Sequence, residues 1–349
     1  MNIYHLSFIK QLYLDKTKRH YLLFAGLLFG ILILGLSLIA SITWGAANIA
    51  FGDIYQSLTA FDGTTNHLII RTVRLPRSLI AILVGASLAV AGAIMQGLTR
   101  NPLASPGILG VNAGAAFAVV VGTFIAGSSS LTIYAWYAFA GAAISAVSVY
   151  FLGSLGHGGL TPFNLTIAGA AITAFISSIT SGILILSQRT LEEIRFWLAG
   201  SVAGRDLNLL WQVLPYICVG LVLAIALSRP ITILSLGEDT ARSLGQPTAL
   251  IKILAAISII LLAGASVAIA GPIGFVGLIV PHIVRLIVGV DYRWILPYSA
   301  ILGAIMMLIA DLVGRLIIQP SELPVGLVMP LIGAPFFIYL IRWKIKRKF

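Results

Sequence analysis

At 349 residues, 59% hydrophobic and only 9% charged, the chain lies far from soluble domains, which carry about 45–50% apolar and about 25% charged residues. Its 22 Lys and Arg against 11 Asp and Glu leave a net charge of +11, and so little charge could not cover a soluble surface. Soluble enzymes, nucleic-acid readers and disordered scaffolds are excluded; a polytopic helical membrane protein remains, with room for roughly ten spans of about 20 apolar residues each.

The first span covers about residues 21–41. It is longer than the roughly 7–15 apolar residues of a signal-peptide core, so it reads as a retained helix. A long connection, 42–77, ends in Arg71 and the run Arg74-Leu75-Pro76-Arg77. Pro76 suits the first turn of a helix, where a missing N–H costs nothing, and this places the arginines at the outer mouth of span two, 78–98. They read as side chains snorkelling to water, or as a basic patch for a partner's carboxylates, which the guanidinium fork matches. Gly85-Ala86-Ser87 and Gly92-Ala93 then supply small residues that let helices approach closely in lipid. Asn101-Pro102 and Ser105-Pro106 pair a capping residue with proline and predict one or two sharp helix starts.

Spans over 107–127 and 131–153 follow, then a loop with Gly153, Gly156, Gly158 and Gly159, then a span over 164–186. Residues 187–207 form a second long outer connection with an amphipathic stretch at 191–198. Cys218, in the span over 208–228, is the single cysteine; it has no intramolecular partner and reads as a small buried hydrophobe. Within the inner connection 229–247, Glu238 and Asp239 stand where a helix N-terminus favours acids, and Gly245 where a chain leaves a helix. A short cytoplasmic helix is expected there, too short to be stable alone and therefore docked on its own chain or on a partner.

After the span over 248–270, Gly271, Pro272, Gly274 and Gly277 predict a broken or short helix across 273–289. The span over 295–314 holds Asp311, with Arg315 four residues on and therefore on the same face. A neutralising pair is one reading and a proton relay the other. The last span covers 326–342. Ten spans put both tails, 1–20 and 343–349, on one side. Lys10, Lys16, Lys18, Arg19, Arg342, Lys344, Lys346, Arg347 and Lys348 make that side cytoplasmic by the positive-inside rule. Arg100, Arg229, Arg242, Lys252, Arg285 and Arg293 fall on or near the same side. Arg71, Arg74, Arg77, Arg189, Arg195, Arg205 and Arg315 fall outside.

No lysine follows a glycine, so no P-loop cradles phosphate and the chain is not expected to be an ATPase, nor another enzyme. Clusters of His, Cys, Asp or Glu that hold a metal are missing from the sequence, and His282 after Pro281 reads as a hydrogen-bonding structural residue. A metal cargo would therefore travel already chelated.

Several runs together carry a resemblance. They are Arg74-Leu75-Pro76-Arg77; Gly92-Ala93-Ile94-Met95-Gln96; Asn101-Pro102-Leu103-Ala104 with Pro106-Gly107 and Leu109-Gly110; and Leu236-Gly237-Glu238-Asp239-Thr240-Ala241-Arg242-Ser243-Leu244-Gly245. Next come Gly271-Pro272-Ile273-Gly274-Phe275-Val276-Gly277-Leu278, Pro281-His282 with Arg285, Glu322-Leu323-Pro324 with Gly326, and Gly333-Ala334-Pro335-Phe336-Phe337. In this order, from about residue 70 to 340, the chain resembles the membrane permease of type II ABC importers for iron(III)-siderophores, haem and cobalamin.

The resemblance implies an all-α, polytopic single domain, 1–349, of about ten transmembrane helices in the bacterial cytoplasmic membrane. A second permease subunit, identical or paralogous, would enclose the pathway with it. Two ATP-binding-cassette ATPase subunits would carry ATP and Mg, this chain binding no cofactor and no metal, and an extracytoplasmic substrate-binding protein would deliver an iron(III)-siderophore. By the same resemblance Arg74, Arg77 and Arg315 dock the binding protein. Glu238, Asp239, Ala241, Arg242, Leu244 and Gly245 form the coupling helix for the ATPase, and Gly156, His157, Gly158, Gly159 and Pro162 belong to a cytoplasmic gate loop. The rivals are an ion-coupled secondary transporter using Asp311 and a membrane scaffold without transport.

Overall fold

The computed structural model describes residues 16–45, 49–127, 130–155, 161–319 and 321–345. Among them helix is the regular secondary structure, as the all-α expectation requires. The elements are α1 (Lys16–Thr43), α2 (Phe51–Thr59), α3 (Thr65–Ile69), α4 (Leu75–Thr99), α5 (Val111–Ala126), α6 (Leu131–Ser154), α7 (Pro162–Leu186) and α8 (Gln188–Leu198). Then follow α9 (Leu207–Ala226), α10 (Ser228–Leu236), α11 (Glu238–Ser243), α12 (Thr248–Ala270), α13 (Val276–Val288), α14 (Tyr292–Ile317) and α15 (Val325–Ile345). Seven helices are long and apolar enough to cross a membrane, and α5, α13 and the apolar part of α15 are shorter. Together they occupy the ten expected spans in order.

Two boundaries differ from the apolar runs. A π-helical turn, Ile70–Arg74, joins α3 to α4, so one helix runs unbroken from Thr65 to Thr99 and the arginines sit on it. Hydropathy starts the span too late because Arg71, Arg74 and Arg77 interrupt it. Asn101 caps a turn rather than a helix, its Oδ1 accepting from the Leu103 N–H at 3.0 Å. Residues Pro106–Leu109 form one 3₁₀ turn before the left-handed Gly110 (φ 69°) starts α5. The break at Gly271 is real: α13 begins only at Val276 and has 13 residues, a short helix as expected.

Buried α4 is the axis of the fold, packed most extensively on α14 and then on α12 and α13. Small residues make that possible. A Cβ on Gly92 would lie 1.9 Å from the Gly277 carbonyl oxygen, and one on Gly85 would lie 2.3 Å from that of Gly303. Helix backbones therefore touch, which is how helices associate in lipid, where apolar burial no longer drives them together. By contrast α1 is peripheral, resting on α14 with most of its side chains outward. Cys218 corrects an expectation: it is exposed on the outer face of α9. A lipid-facing surface is as apolar as the interior, so hydrophobicity does not sort one from the other.

One end of the bundle gathers the start of α1, the end of α13 and the start of α14. Arg19 reaches the Val288 carbonyl at 3.4 Å, and the Tyr292 N–H donates to Thr232 Oγ1 on α10 at 3.0 Å. Arg77, Arg315 and Glu322 lie at the opposite end.

Candidate functional site

At the end of the bundle that holds Arg77, the three arginines expected to face outward do come together, but not as an exposed patch. Arg74, Arg77 and Arg315 are only 6%, 7% and 4% exposed. Arg77, on the first turn of α4, grips Asp311 of α14 with Nε (3.1 and 3.0 Å to the two oxygens) and Nη2 (2.8 Å). Its remaining Nη1 donates to Glu322 at 2.6 Å. Arg315 also pairs with Asp311, at 3.2 Å, the neutralising pair that the i, i+4 spacing foretold. Arg315 then spends Nη1 on the carbonyls of Ser41 (2.9 Å) and Trp44 (3.2 Å), and Nη2 on Ser41 Oγ.

Arg74 donates to the carbonyls of Ile42 (2.5 Å) and Thr43 (2.8 Å). These are the last carbonyls of α1, which have no partner inside their own helix, and the helix dipole makes them negative. Two arginines thus cap a helix C-terminus while the third is held in a fork by two carboxylates. Three guanidiniums against two carboxylates leave the cluster one positive charge in excess.

Beside it opens a cleft of about 380 Å³, lined by Arg77, Tyr134, Trp197, Arg205 and Glu322 among others. Burial pushes the Arg205 guanidinium below its usual range. Its Nε donates to the Ser201 carbonyl at 3.3 Å, and it makes no ion pair among the described residues. Sequence reasoning gave Glu322 and Arg205 no role: one stood in a motif and the other was merely an outer charge. An acid four residues from an arginine can be found by spacing; one across the fold from Arg77 has no such signal.

At the other end, where Arg19 reaches Val288, the short helix forms as expected. α11 has six residues and closes in a Schellman motif, with the Gln246 N–H on the Ala241 carbonyl (3.0 Å), the Gly245 N–H on that of Arg242 (2.9 Å), and Gly245 left-handed at φ 77°. Ala241 is its buried foot. Glu238 anchors it, bonded to Lys252 of α12 at 2.7 Å and to Arg242 at 2.8 Å. Asp239, Arg242, Leu244 and Gly245 face outward, Leu244 at 64% exposure.

Burial pushes the Glu238 carboxyl up, but Lys252 and then Arg242 outweigh it and hold it below its ordinary value. A depressed carboxylate contributes stability that is fully present above its unfolded pKa, about 4.3, and lost as pH falls through the lower folded value. Attachment of α11 should therefore be flat from about pH 8 to about pH 5.5 and weaken only in stronger acid. Hydrogen exchange at the Ala241 amide reads this directly.

Pro162, the first residue of α7, lines a narrow pocket with Arg100, Glu238 and Lys252, so the end of the expected gate loop abuts the anchor of α11. Gly156, His157, Gly158 and Gly159 lie outside the described residues. Gln96 of α4 donates to the Leu278 carbonyl at 3.1 Å and accepts from Arg285, which also donates to Tyr292 OH at 2.9 Å. That network ties α4, α13 and α14 together near α10. No group of three His, Cys, Asp or Glu side chains converges among the described residues.

Residues 31–343 match the family model of the FecCD transport family. The chain belongs to the FecCD transport family. Over 312 residues it is 50% identical to the "Probable siderophore transport system permease protein YfiZ" of Bacillus subtilis, covering 89% of this chain and 94% of that one. It is 46% identical over 328 residues to the iron(3+)-hydroxamate import system permease protein FhuB of the same organism, covering 93% and 85%. Among solved structures, a metal-chelate type ABC transporter in an inward-facing conformation superposes with a TM-score of 0.80 at 31% identity, covering 90% of this chain and 98% of that one. This FecCD permease is thus a multi-pass protein of the bacterial membrane, a transport component rather than an enzyme, and it works with ATPase and permease partners.

Proposed function

We propose that the chain forms, with a second permease subunit, the pathway through which an iron(III)-siderophore chelate enters the cell, driven by ATP hydrolysed on two partner ATPase subunits. Haem and cobalamin are the other chelates such a pathway would suit. What carries the substrate reading is the near full-length identity to permeases named for siderophores and iron-hydroxamate. Because the described residues offer no metal cluster, the metal would cross inside its chelate, with ATP and Mg bound only to the ATPase. Both tails would lie in the cytoplasm, a reading supported by their positive charge and by Arg19 bonding at the same end as α11. The substrate-binding protein would dock at the Arg74, Arg77 and Arg315 end. Of the three, Arg77 lines the open cleft, while Arg74 and Arg315 hold the end of α1 in place.

Reconstitution tests this. Proteoliposomes holding the permease, ATPase and delivery protein should accumulate a radioiron hydroxamate only with ATP inside, and an uncoupler should leave uptake intact. Uptake without ATP that an uncoupler abolishes would establish ion coupling instead.

α11 is the proposed coupling element, its exposed side chains entering a cleft on the ATPase. Glu238 is a poor probe because reversing it breaks the helix's own anchor. Leu244→Asp is a clean one, since Leu244 points away from the chain. The variant should fold normally yet lose ATPase co-purification and at least about tenfold of uptake, as truncating an interface hot spot does. Full retention of both would remove α11 from the interface.

A further inference from the structure

The outer cleft contains two unequal holds on one guanidinium. Arg77 keeps Nε and Nη2 on Asp311, whose side chain is 2% exposed, and turns Nη1 toward Glu322, whose side chain is 37% exposed. Asp311 lies inside α14 and cannot be reached. Glu322 stands on the non-helical link between α14 and α15, at the cleft's edge, where an incoming group can compete with it.

Across the cleft, Arg205 is half-buried with only the Ser201 carbonyl for a partner. The other carboxylate lining the cleft, Glu193, is already engaged by Arg189 at 3.1 Å. With each acid of the cleft committed to another arginine, Arg205 supplies an uncompensated positive charge that burial makes costly. Tyr134, Trp197 and the exposed Phe196 form the walls, and Tyr, Trp and Arg are the residues that anchor protein interfaces.

We propose that Glu322 is a built-in stand-in for a carboxylate of the extracytoplasmic delivery protein: an Asp or Glu side chain of that protein enters the cleft, is drawn in by Arg205 and takes Arg77 Nη1 over from Glu322. This rests on the docking end assigned under the proposed function. It explains why an arginine expected to meet a partner is fully occupied in the free permease. A buried guanidinium left with an open fork carries a desolvation cost with nothing to offset it, so a weak, replaceable internal anion keeps the site folded until the partner arrives. The exchange leaves the charge on Arg77 unchanged and frees Glu322 from it.

Removing a competitor strengthens binding, an outcome that structural damage does not produce. The permease–ATPase complex in nanodiscs, titrated with its cognate substrate-binding protein, should bind about fivefold more tightly as Glu322→Gln. Glu322→Asp should stay near wild type. Arg205→Gln should bind about tenfold more weakly, chiefly through slower association, with a flatter salt dependence. If Glu322→Gln binds equally or more weakly, or Arg205→Gln leaves affinity and salt slope unchanged, the stand-in does not exist. If Glu322→Gln instead tightens binding of free ferric citrate and not of the protein, the cleft is a chelate subsite and the docking proposal falls. A wild-type complex that captures no delivery protein would sink the proposed function itself.

Discussion

Asp311→Asn is expected to destabilise the permease by about 3–5 kcal/mol, the cost of breaking a buried ion pair from one side. The amide keeps the shape of the side chain but removes the charge that two guanidiniums share. Arg77 and Arg315 would then stand in a buried site with Glu322 as the remaining carboxylate, and its direct bond among the described residues is to Arg77. The carbonyl end of α1 should loosen with them, because Arg315 also holds Ser41 and Trp44.

A second substitution makes the argument quantitative. Arg77→Met together with Asp311→Asn restores the cluster's single excess charge, so the double variant should lose less than the two single losses added. A coupling energy of about 0.5–3 kcal/mol is expected for side chains in one network. Thermal unfolding in detergent measures all three variants. An Asp311→Asn protein as stable as wild type, but unable to transport beside an intact ATPase, would bring back the proton-relay reading.

Gly92→Ala is expected to be nearly as damaging although it adds one methyl group. The new Cβ would sit 1.9 Å from the Gly277 carbonyl oxygen and 2.4 Å from its Cα. Both are backbone atoms, so no side chain can swing away and α13 itself must retreat from α4. Overpacking of this kind costs about 1–3 kcal/mol and sometimes more. The retreat also pulls the Leu278 carbonyl away from Gln96, one turn further along the same face of α4. Gly35→Ala and Gly182→Ala are the controls: a Cβ at either meets nothing within 4 Å, and the change removes a poor helix former. Yield and unfolding temperature should fall for Gly92→Ala and hold or rise for the controls. Equal behaviour of the three would mean that α4 and α13 do not touch as described.

Much of α11 was legible from residues alone. Glu238, Asp239 and Gly245 obey local rules of helix ends, and α11 begins and ends where those rules place it. The anchor was not legible, because Lys252 reaches Glu238 from the next helix only once α11 folds back on α12. At the opposite end of the bundle, the i, i+4 pairing of Asp311 with Arg315 followed from helix geometry. The stronger bond, from Arg77, spans 234 residues and has no local signature. Burial of Arg74 was also hidden, since nothing near it in the chain says that α1 ends against it.

Composition and the lengths of the apolar runs determined by themselves that the chain lives in lipid, that it is helical, and where its apolar helices lie along the chain. A bilayer demands this, because a backbone without water must satisfy its hydrogen bonds within each span. The tertiary structure alone decided which faces meet and which charges pair. Lipid and protein interior are equally apolar, so the sequence does not mark an inward face as it would in water. The choice falls to glycines that let backbones touch and to a few charges that cannot stay unpaired, and both depend on partners far away in the chain.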